Sequence, residues 1–420
     1  MAGGCIQNNE KITVMSDKFK FFILASAASL MSCGGADKTY TMGTYGYDLA
    51  FFSEQGIDVV ELSSTDGTAK IMLIPSYQGR VMTSTTDGND GDSYGWINYE
   101  LIRSGEINPQ FNPTGGEERF WIGPEGGPFS FYFKKGDEQI YANWKVPAAI
   151  DTDSYEIVAK NDKSVHFTKD FSLVNASDNC FDIGVDRSVT LLDKTQITEI
   201  LACKIPSEVA CVAYTTVNVI TNRGVAAWTR ETGMPSIWLL GMFNPTPSTT
   251  VFIPYDVSYD GKIVNDTYFG KIPSDRLLVD NGMVYFKIDG MYRSKLGLPA
   301  GSARDLCGSY DSEKRVLTVI KYSVPVEGGD YVNGQWGDQE DPFSGDVINS
   351  YNDGPTENGT IMGPFYEVET SSPGAALAPG ESLTHRQTTI HFQGEEASID
   401  TIVRELFGVE LEQITKRFRQ

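Results

Sequence analysis

The sequence predicts a large all-β protein, and three observations carry that expectation. Runs of roughly five to ten residues rich in Val, Ile, Thr, Tyr and Phe recur along the chain. Gly, Asn, Asp or Pro bounds most of them. No long helical period separates them until the C-terminal end. Apolar residues make up 40% of the 420 residues and charged ones 21%, so a packed core is expected rather than disorder.

Taken in chain order, residues 1–14 read as a leader upstream of the true start. Met15 opens a cleaner signal: Lys18 and Lys20 are basic, and Phe21 to Leu30 is an apolar run too short to span a bilayer. "LMSC", Leu30 to Cys33, resembles the bacterial lipoprotein signal, in which small residues precede a cysteine that becomes lipidated. Residues 15–32 would then be removed. Cys33 would carry the acyl chains, and residues 33–46 would be a tether. That places the protein in the cell envelope, facing the periplasm or the surface and anchored to a bacterial membrane rather than spanning it.

The strand pattern follows over residues 47–395. "AKIMLIPSYQGRVMTST" reads as two strands around a turn at Gly79. "KSVHFTKDFSL", "FDIGVDRSVTLLD", "TQITEILACKI" and "CVAYTTVNVIT" follow as further strands. "PSIWLLGMFN", "TTVFIPYDV", "MVYFKIDG", "RVLTVIKYSV" and "SLTHRQTTIHF" complete the series. This spacing suits a large β-sandwich or barrel. Residues 396–420 differ. Ile399, Ile402, Val403, Leu406 and Phe407 share one helical stripe, Gly408 ends that helix, and Val409, Leu411 and Ile414 continue as a second.

Charge narrows the function classes. The formal net charge is −22, which excludes a nucleic-acid partner because phosphate contacts need a basic face. It also disfavours polyanionic substrates and leaves neutral ligands open. Cys180, Cys203, Cys211 and Cys307 match no metal spacing and read as free thiols or as disulfides of an oxidising compartment. "TDGNDGDSYG", Thr86 to Gly95, has Gly91 where a calcium loop needs an oxygen ligand, so it reads as a polar loop. No cofactor or metal motif is present.

Two segments suggest a site. In "GGEERFWIGPEGG", Glu117, Arg119 and Trp121 share the parity of one strand face, and Glu125 sits on a Gly-rich loop. An aromatic plate can stack on the C–H face of a sugar while carboxylates and Arg bond its hydroxyls. In "YEVET", Glu367 and Glu369 are two apart and face the same side. Arg293 and Lys295 would share a face if extended. "SYNDG" offers Tyr351, Asn352 and Asp353 on a turn.

"GPFYEVETSSPGAALAPGESLTHRQTTIHF", Gly363 to Phe392, resembles the closing segment of galactose-mutarotase-like proteins. There a glutamate strand is followed by a Pro-Gly-Glu turn, matched here by Pro379, Gly380 and Glu381. "GGEERFWIGPEGG", "AYTTVNVITNRG", "PSIWLLGMF" and "GDVINSYNDG" resemble uncharacterised bacterial relatives in that superfamily, the last a lipoprotein-rich subgroup. The resemblance implies a β-supersandwich of two large antiparallel sheets with a carbohydrate site on a concave face. It implies an aldose epimerase or mutarotase, a non-catalytic glycan binder or structural lipoprotein, or a glycan-cleaving enzyme with a carboxylate pair. For an epimerase, Glu367 or Glu369 would be the base. Glu117, Arg119, Trp121, Glu125, Arg293, Lys295, Tyr351, Asn352 and Asp353 would position the sugar. None of His166, His385 and His391 stands in the family's catalytic-histidine context. The acid would have to be Tyr351, Asp353 or a carboxylic acid with a raised pKa.

Overall fold

The computed structural model describes residues 38–325, 328–356 and 359–418. The leader, the signal peptide, Cys33 and the tether as far as residue 37 lie outside the described residues. The fold below is that of the unit Tyr40–Gln420.

Chain order brings β1 (Val60–Ser63), β2 (Lys70–Ile74), β3 (Arg80–Thr85) and β4 (Arg119–Gly123) first. Next come β5 (Glu156–Lys160), β6 (Ser164–Val174), β7 (Cys180–Leu191), β8 (Ala210–Asn222) and β9 (Ser236–Phe243). After them run β10 (Thr249–Pro254), β11 (Leu277–Asp280), β12 (Met283–Lys287), β13 (Ser294–Pro299) and β14 (Leu306–Asp311). The last are β15 (Val316–Tyr322), β16 (Asp346–Asn352), β17 (Tyr366–Ser371) and β18 (Ser382–Gln393). Helices are α1 (Tyr45–Glu54), α2 (Tyr99–Ser104), α3 (Ala148–Asp151), α4 (Lys194–Leu201), α5 (Glu396–Phe407) and α6 (Leu411–Lys416).

The fold class is all-β, as the strand pattern predicts. A ten-stranded sheet runs β11-β12-β10-β14-β15-β18-β8-β7-β6-β5, and a five-stranded one runs β13-β16-β17-β9-β4. A smaller sheet, β1-β2-β3, completes the set. Neighbouring strands are antiparallel in all three, for example β18 with β8, β17 with β9, and β2 with β3. The two larger sheets bury their facing sides together. Val251, Ile253, Phe286 and Ile320 of one meet Leu296, Leu298, Ile348 and Val368 of the other. Further along, Phe167, Val185 and Ile220 join Phe120, Ile122 and Leu239, with Leu62, Ile71 and Leu73 from the small sheet.

Opposite that core, Phe252, Tyr285, Leu317, Val319 and Ile390 of the ten-stranded sheet are covered by α4, α5 and α6. The expected terminal stripe is the face that packs: Ile399, Ile402 and Val403 are fully buried. Gly408 closes α5 at φ 69°, a left-handed conformation that a side chain would strain.

The structure departs from the local signals in three places. "TQITEILACKI" is helical over Lys194–Leu201 rather than a strand. Asp193 and Gln196 form a reciprocal capping box there, and Ile197 and Leu201, four apart, both bury. "YGYDLAFFSE" is α1, with the Thr44 side chain accepting from Tyr47 N, where tether and strand were expected. Ser350, Tyr351 and Asn352 belong to β16 rather than to a turn. The four described cysteines are free thiols, two of them buried.

Ile402→Ala should cost about 2–5 kcal/mol in urea denaturation, because it opens a cavity under α5. Gly408→Ala should cost about 1 kcal/mol by strain at the helix end. An Ile402→Ala protein as stable as the parent would show that α5 is not part of the core.

Candidate functional site

Strand register determines which charges meet. Arg119 on β4 stands opposite Leu240 on β9, Leu240 opposite Glu369 on β17, and Glu369 opposite Asn349 on β16. One row along, Glu367 stands opposite Tyr351, and Tyr351 opposite Lys295 on β13. Alternation therefore turns Arg119, Trp121, Trp238, Glu367, Glu369, Asn349, Tyr351 and Lys295 to one face of the five-stranded sheet. Phe120, Leu239, Val368, Ile348 and Leu296 point the other way, into the core. The polar face is nonetheless dry. Arg119, Glu367 and Glu369 are buried, with a cover in which Glu125, Val332 and Gly334 line a small cavity over Trp238 and Lys295, and Tyr132, Trp144 and Trp336 stack outward from Trp121.

Burying charge without water requires partners. Arg119 is ion-paired with Glu367. Its guanidinium lies 4.9 Å from the Trp121 ring centre and 5.9 Å from that of Phe111. Glu369 Oε2 accepts from Lys295 Nζ at 2.8 Å and from Trp238 Nε1 at 2.9 Å. Lys295 also sits 5.0 Å from the Trp238 ring and 5.3 Å from that of Tyr268. Three buried atoms of the charged groups on this face have no hydrogen-bond partner among the described residues, Arg119 Nε, Arg119 Nη1 and Glu369 Oε1, and the indole Nε1 of Trp121 is a fourth.

The fields follow from burial. Desolvation pushes the Glu367 carboxyl up; Arg119 opposes the shift and Glu369 reinforces it. Desolvation also lifts Glu125 to about 7, with Lys295 opposing and Glu369 reinforcing. Asp346 rises to about 6 by burial, against the bond that Tyr268 donates to it at 2.5 Å. Burial would lower Lys295, but the carboxylates of Glu369, Glu125 and Glu367 outweigh it and hold the ammonium above its ordinary value. A cavity of 30 Å³ remains between sheet and cover, lined by Glu125, Trp238, Tyr268, Lys295, Asp346 and Asn349.

Some of the residues expected in a site are elsewhere. Glu117 leaves the strand before its first residue, Arg119, so it does not share the Arg119 face. It lies between the sheets instead, where Ser84 donates at 2.8 Å, Tyr214 at 3.2 Å, and His391 Nε2 stands at 3.2 Å. Trp121 does share the face but is no open plate. Phe111, Tyr132 and Trp238 pack around it, and 3% of it is exposed. Asn352 points to the opposite side, accepting from Gly290 N at 2.8 Å and donating to Tyr292 O at 2.9 Å. Tyr351, Asp353 and Arg293 form a cluster at one end of the face. The Tyr351 hydroxyl donates to Asp353 at 2.7 Å, and Arg293 Nε lies 3.2 Å from that hydroxyl. Glu367, Glu369, Arg119, Lys295 and Glu125 are brought together. Trp238 on β9, Asp346 and Asn349 on β16, and Tyr268 from the loop between β10 and β11 join them, placed by long-range pairing that no local pattern shows.

A second, larger cleft of about 690 Å³ opens between the sheets near Tyr94, Trp96, Tyr99, Phe243 and His391. Its buried polar groups are already bonded: His391 to Glu117 and Thr318, Tyr94 to Thr86 and Gln393. Neither Arg119 nor Glu369, whose unpartnered atoms lie on the polar sheet face, lines this cleft.

Over residues 43–418 the sequence matches the family of unknown function DUF6786. The chain belongs to this family. No curated protein matches it. Among solved structures it is similar to the Slr1438 protein of Synechocystis, at 12% identity and a TM-score of 0.49 over 80% of this chain and 96% of that one. It is also similar to a galactose mutarotase-like protein of Lactobacillus casei, at 10% identity and a TM-score of 0.47 over 80% of this chain and 100% of that one. A third is a galactose mutarotase related enzyme of Lactobacillus acidophilus, at 7% identity and a TM-score of 0.43 over 80% and 98%.

A pH dependence of stability follows in this DUF6786 chain. Glu125 has an ordinary pKa of 4.5 and a folded one of about 7. Between these values the folded chain holds a proton that the unfolded chain releases. The group's contribution is therefore full below about pH 4.5 and is lost as pH rises through 7. Glu125→Gln should make the decline in urea midpoint shallower, by up to about 2 kcal/mol over that window. Parallel pH curves for parent and variant would contradict the burial of this carboxyl.

Proposed function

We propose that this protein binds a neutral carbohydrate between the polar face of the five-stranded sheet and its cover, and exchanges protons at the sugar's anomeric centre. The observation that carries the reading is the trio of unpartnered buried atoms, donors on Arg119 and an acceptor on Glu369. An anion would satisfy the first and meet repulsion from Glu367 and Glu369; a cation would do the reverse. A hydroxyl both donates and accepts, so a polyol answers both ends. β4 and β17 are separated by β9, which sets them about 10 Å apart, a span that suits a ring with exocyclic hydroxyls.

Glu369 has the form of an oriented base. Lys295 and Trp238 fix one carboxylate oxygen and leave the other buried without a partner. Such a carboxylate can take the proton from an anomeric hydroxyl. Entry requires the cover to move, because 30 Å³ holds about one water. We further propose that lipidation at Cys33 keeps the protein at a bacterial envelope membrane, on the strength of the "LMSC" resemblance.

A thermal-shift series with aldohexoses, disaccharides and uronic acids tests the binding. A sugar at 100 times its Kd should stabilise the fold by about 2.7 kcal/mol, with neutral sugars preferred over uronic acids. Glu369→Gln should keep that shift while anomeric exchange falls roughly 10²–10⁴-fold. A blank across the series would remove the carbohydrate reading. Cys33→Ala should move the protein from the membrane fraction to the soluble one; unchanged fractionation would count against the anchor.

A further inference from the structure

Ring opening needs an acid as well as a base, and the residues that could supply one are few. The three histidines are not at the polar face. His385 lies behind the sheet, with Nε2 2.9 Å from Thr370 Oγ1 and Nδ1 3.1 Å from Ser323. His391 is bonded to Glu117 and Thr318 between the sheets. His166 pairs with Asp186 on β6 and β7, in the other large sheet. Tyr351 already donates its proton to Asp353. Asp353 accepts from Gly363 N at 2.9 Å as well, so both of its oxygens are taken. Asp346 accepts from the Tyr268 hydroxyl at 2.5 Å and faces the amides of Asn265 and Asn349. Glu367 is held by Arg119.

Glu125 is left. It follows β4 directly and lines the same small cavity as Lys295, Trp238 and Asn349. Its position is constrained on the loop side. A Cβ on Gly126 would come within 2.2 Å of the Gln335 carbonyl, so the backbone there lies flat against the cover. Gln139 then ties the segment down: its Oε1 accepts from Gly127 N and from Gly337 N, both at 2.8 Å, and its Nε2 donates to Gly127 O at 2.8 Å.

We propose that Glu125 is the general acid of this site, working with Glu369, whose partners Lys295 and Trp238 line the cavity beside Glu125. The inference rests on the carbohydrate reading above and names the group that reading lacks. In the forward step Glu369 takes the proton from the anomeric O1–H. The C1–O5 bond breaks as the C1=O1 bond forms, and Glu125 gives its proton to the ring oxygen O5. Closure on the other face of C1 returns both protons, so nothing is oxidised or consumed. The charged and titratable groups that face Glu125 are Lys295 on β13, Glu369 on β17, Asp346 on β16, Tyr268 on the loop after β10 and Tyr132 on the loop after β4, and the indoles of Trp336 and Trp144 also face its carboxyl. Its burial keeps the proton in place to about pH 7, which suits an acid working near neutrality.

The test uses the full chain with D-glucose and D-galactose as probes, reading α–β exchange by saturation-transfer NMR from pH 5 to 9. The parent should catalyse exchange that declines above about pH 7. Glu125→Gln should retain its sugar-induced thermal shift, lose at least 100-fold in exchange, and lose the alkaline decline. Glu125→Asp should recover part of the rate. A purely structural role would lower stability without moving the pH profile. Exchange in Glu125→Gln within threefold of the parent would overturn the assignment and leave the carbohydrate reading standing. No exchange by the parent with either probe would overturn the assignment too. If those sugars also gave the parent no thermal shift, the carbohydrate reading would fail with it.

Discussion

The structure depends on making a charged sheet face dry. Arg119 with Glu367, and Lys295 with Glu369, lie where water is excluded, and each charge is tolerable only because its partner stands on a nearby strand. Those partners come from segments far apart in sequence: the strand at residue 119, the strand at 295 and the strand at 367–369. Removing one member would strand a buried charge and cost far more than the pair contributes. The constraint therefore holds β4, β9, β17, β16 and β13 to a single register. A one-residue slip would turn the ions into the apolar core and the Leu and Val residues out of it.

A second buried pair does similar work between the sheets. Glu118 meets Arg187 at 2.9 Å, both fully buried, and Gln387 donates to the same carboxylate at 2.9 Å. With Glu117 against His391 and Arg119 against Glu367, three consecutive residues enter three polar clusters on different sides of the backbone. The short segment "GGEER" thus ties the five-stranded sheet to the ten-stranded one. That is a structural task for Glu117 and Glu118, while Arg119 alone reaches the face with unpartnered atoms.

Much of this was legible from local pattern. The long strands, the terminal helix stripe with its Gly408 stop, and the shared face of Glu367 and Glu369 follow from periodicity and glycine conformation alone. The errors have physical causes. "TQITEILACKI" carries β-branched residues, but a capping box and an i,i+4 apolar pair outweigh them. Glu117 has the right parity for the Arg119 face, yet parity means nothing before the strand begins at Arg119. The place of Trp238 is set by pairing with strands more than a hundred residues away in sequence, and that of Asp346 by pairing with Pro299 on β13. No local window contains that information. The same holds for Glu125, whose loop position is visible in the sequence but whose half-buried place beside Lys295 is not.

The most direct check is a crystal structure of the protein soaked with the neutral sugar that gives the largest thermal shift. The account predicts density under a displaced cover, with sugar hydroxyls bonded to Arg119 Nε and Nη1 and to Glu369 Oε1. Density confined to the larger cleft beside Tyr94 and His391, with the cover closed, would contradict it.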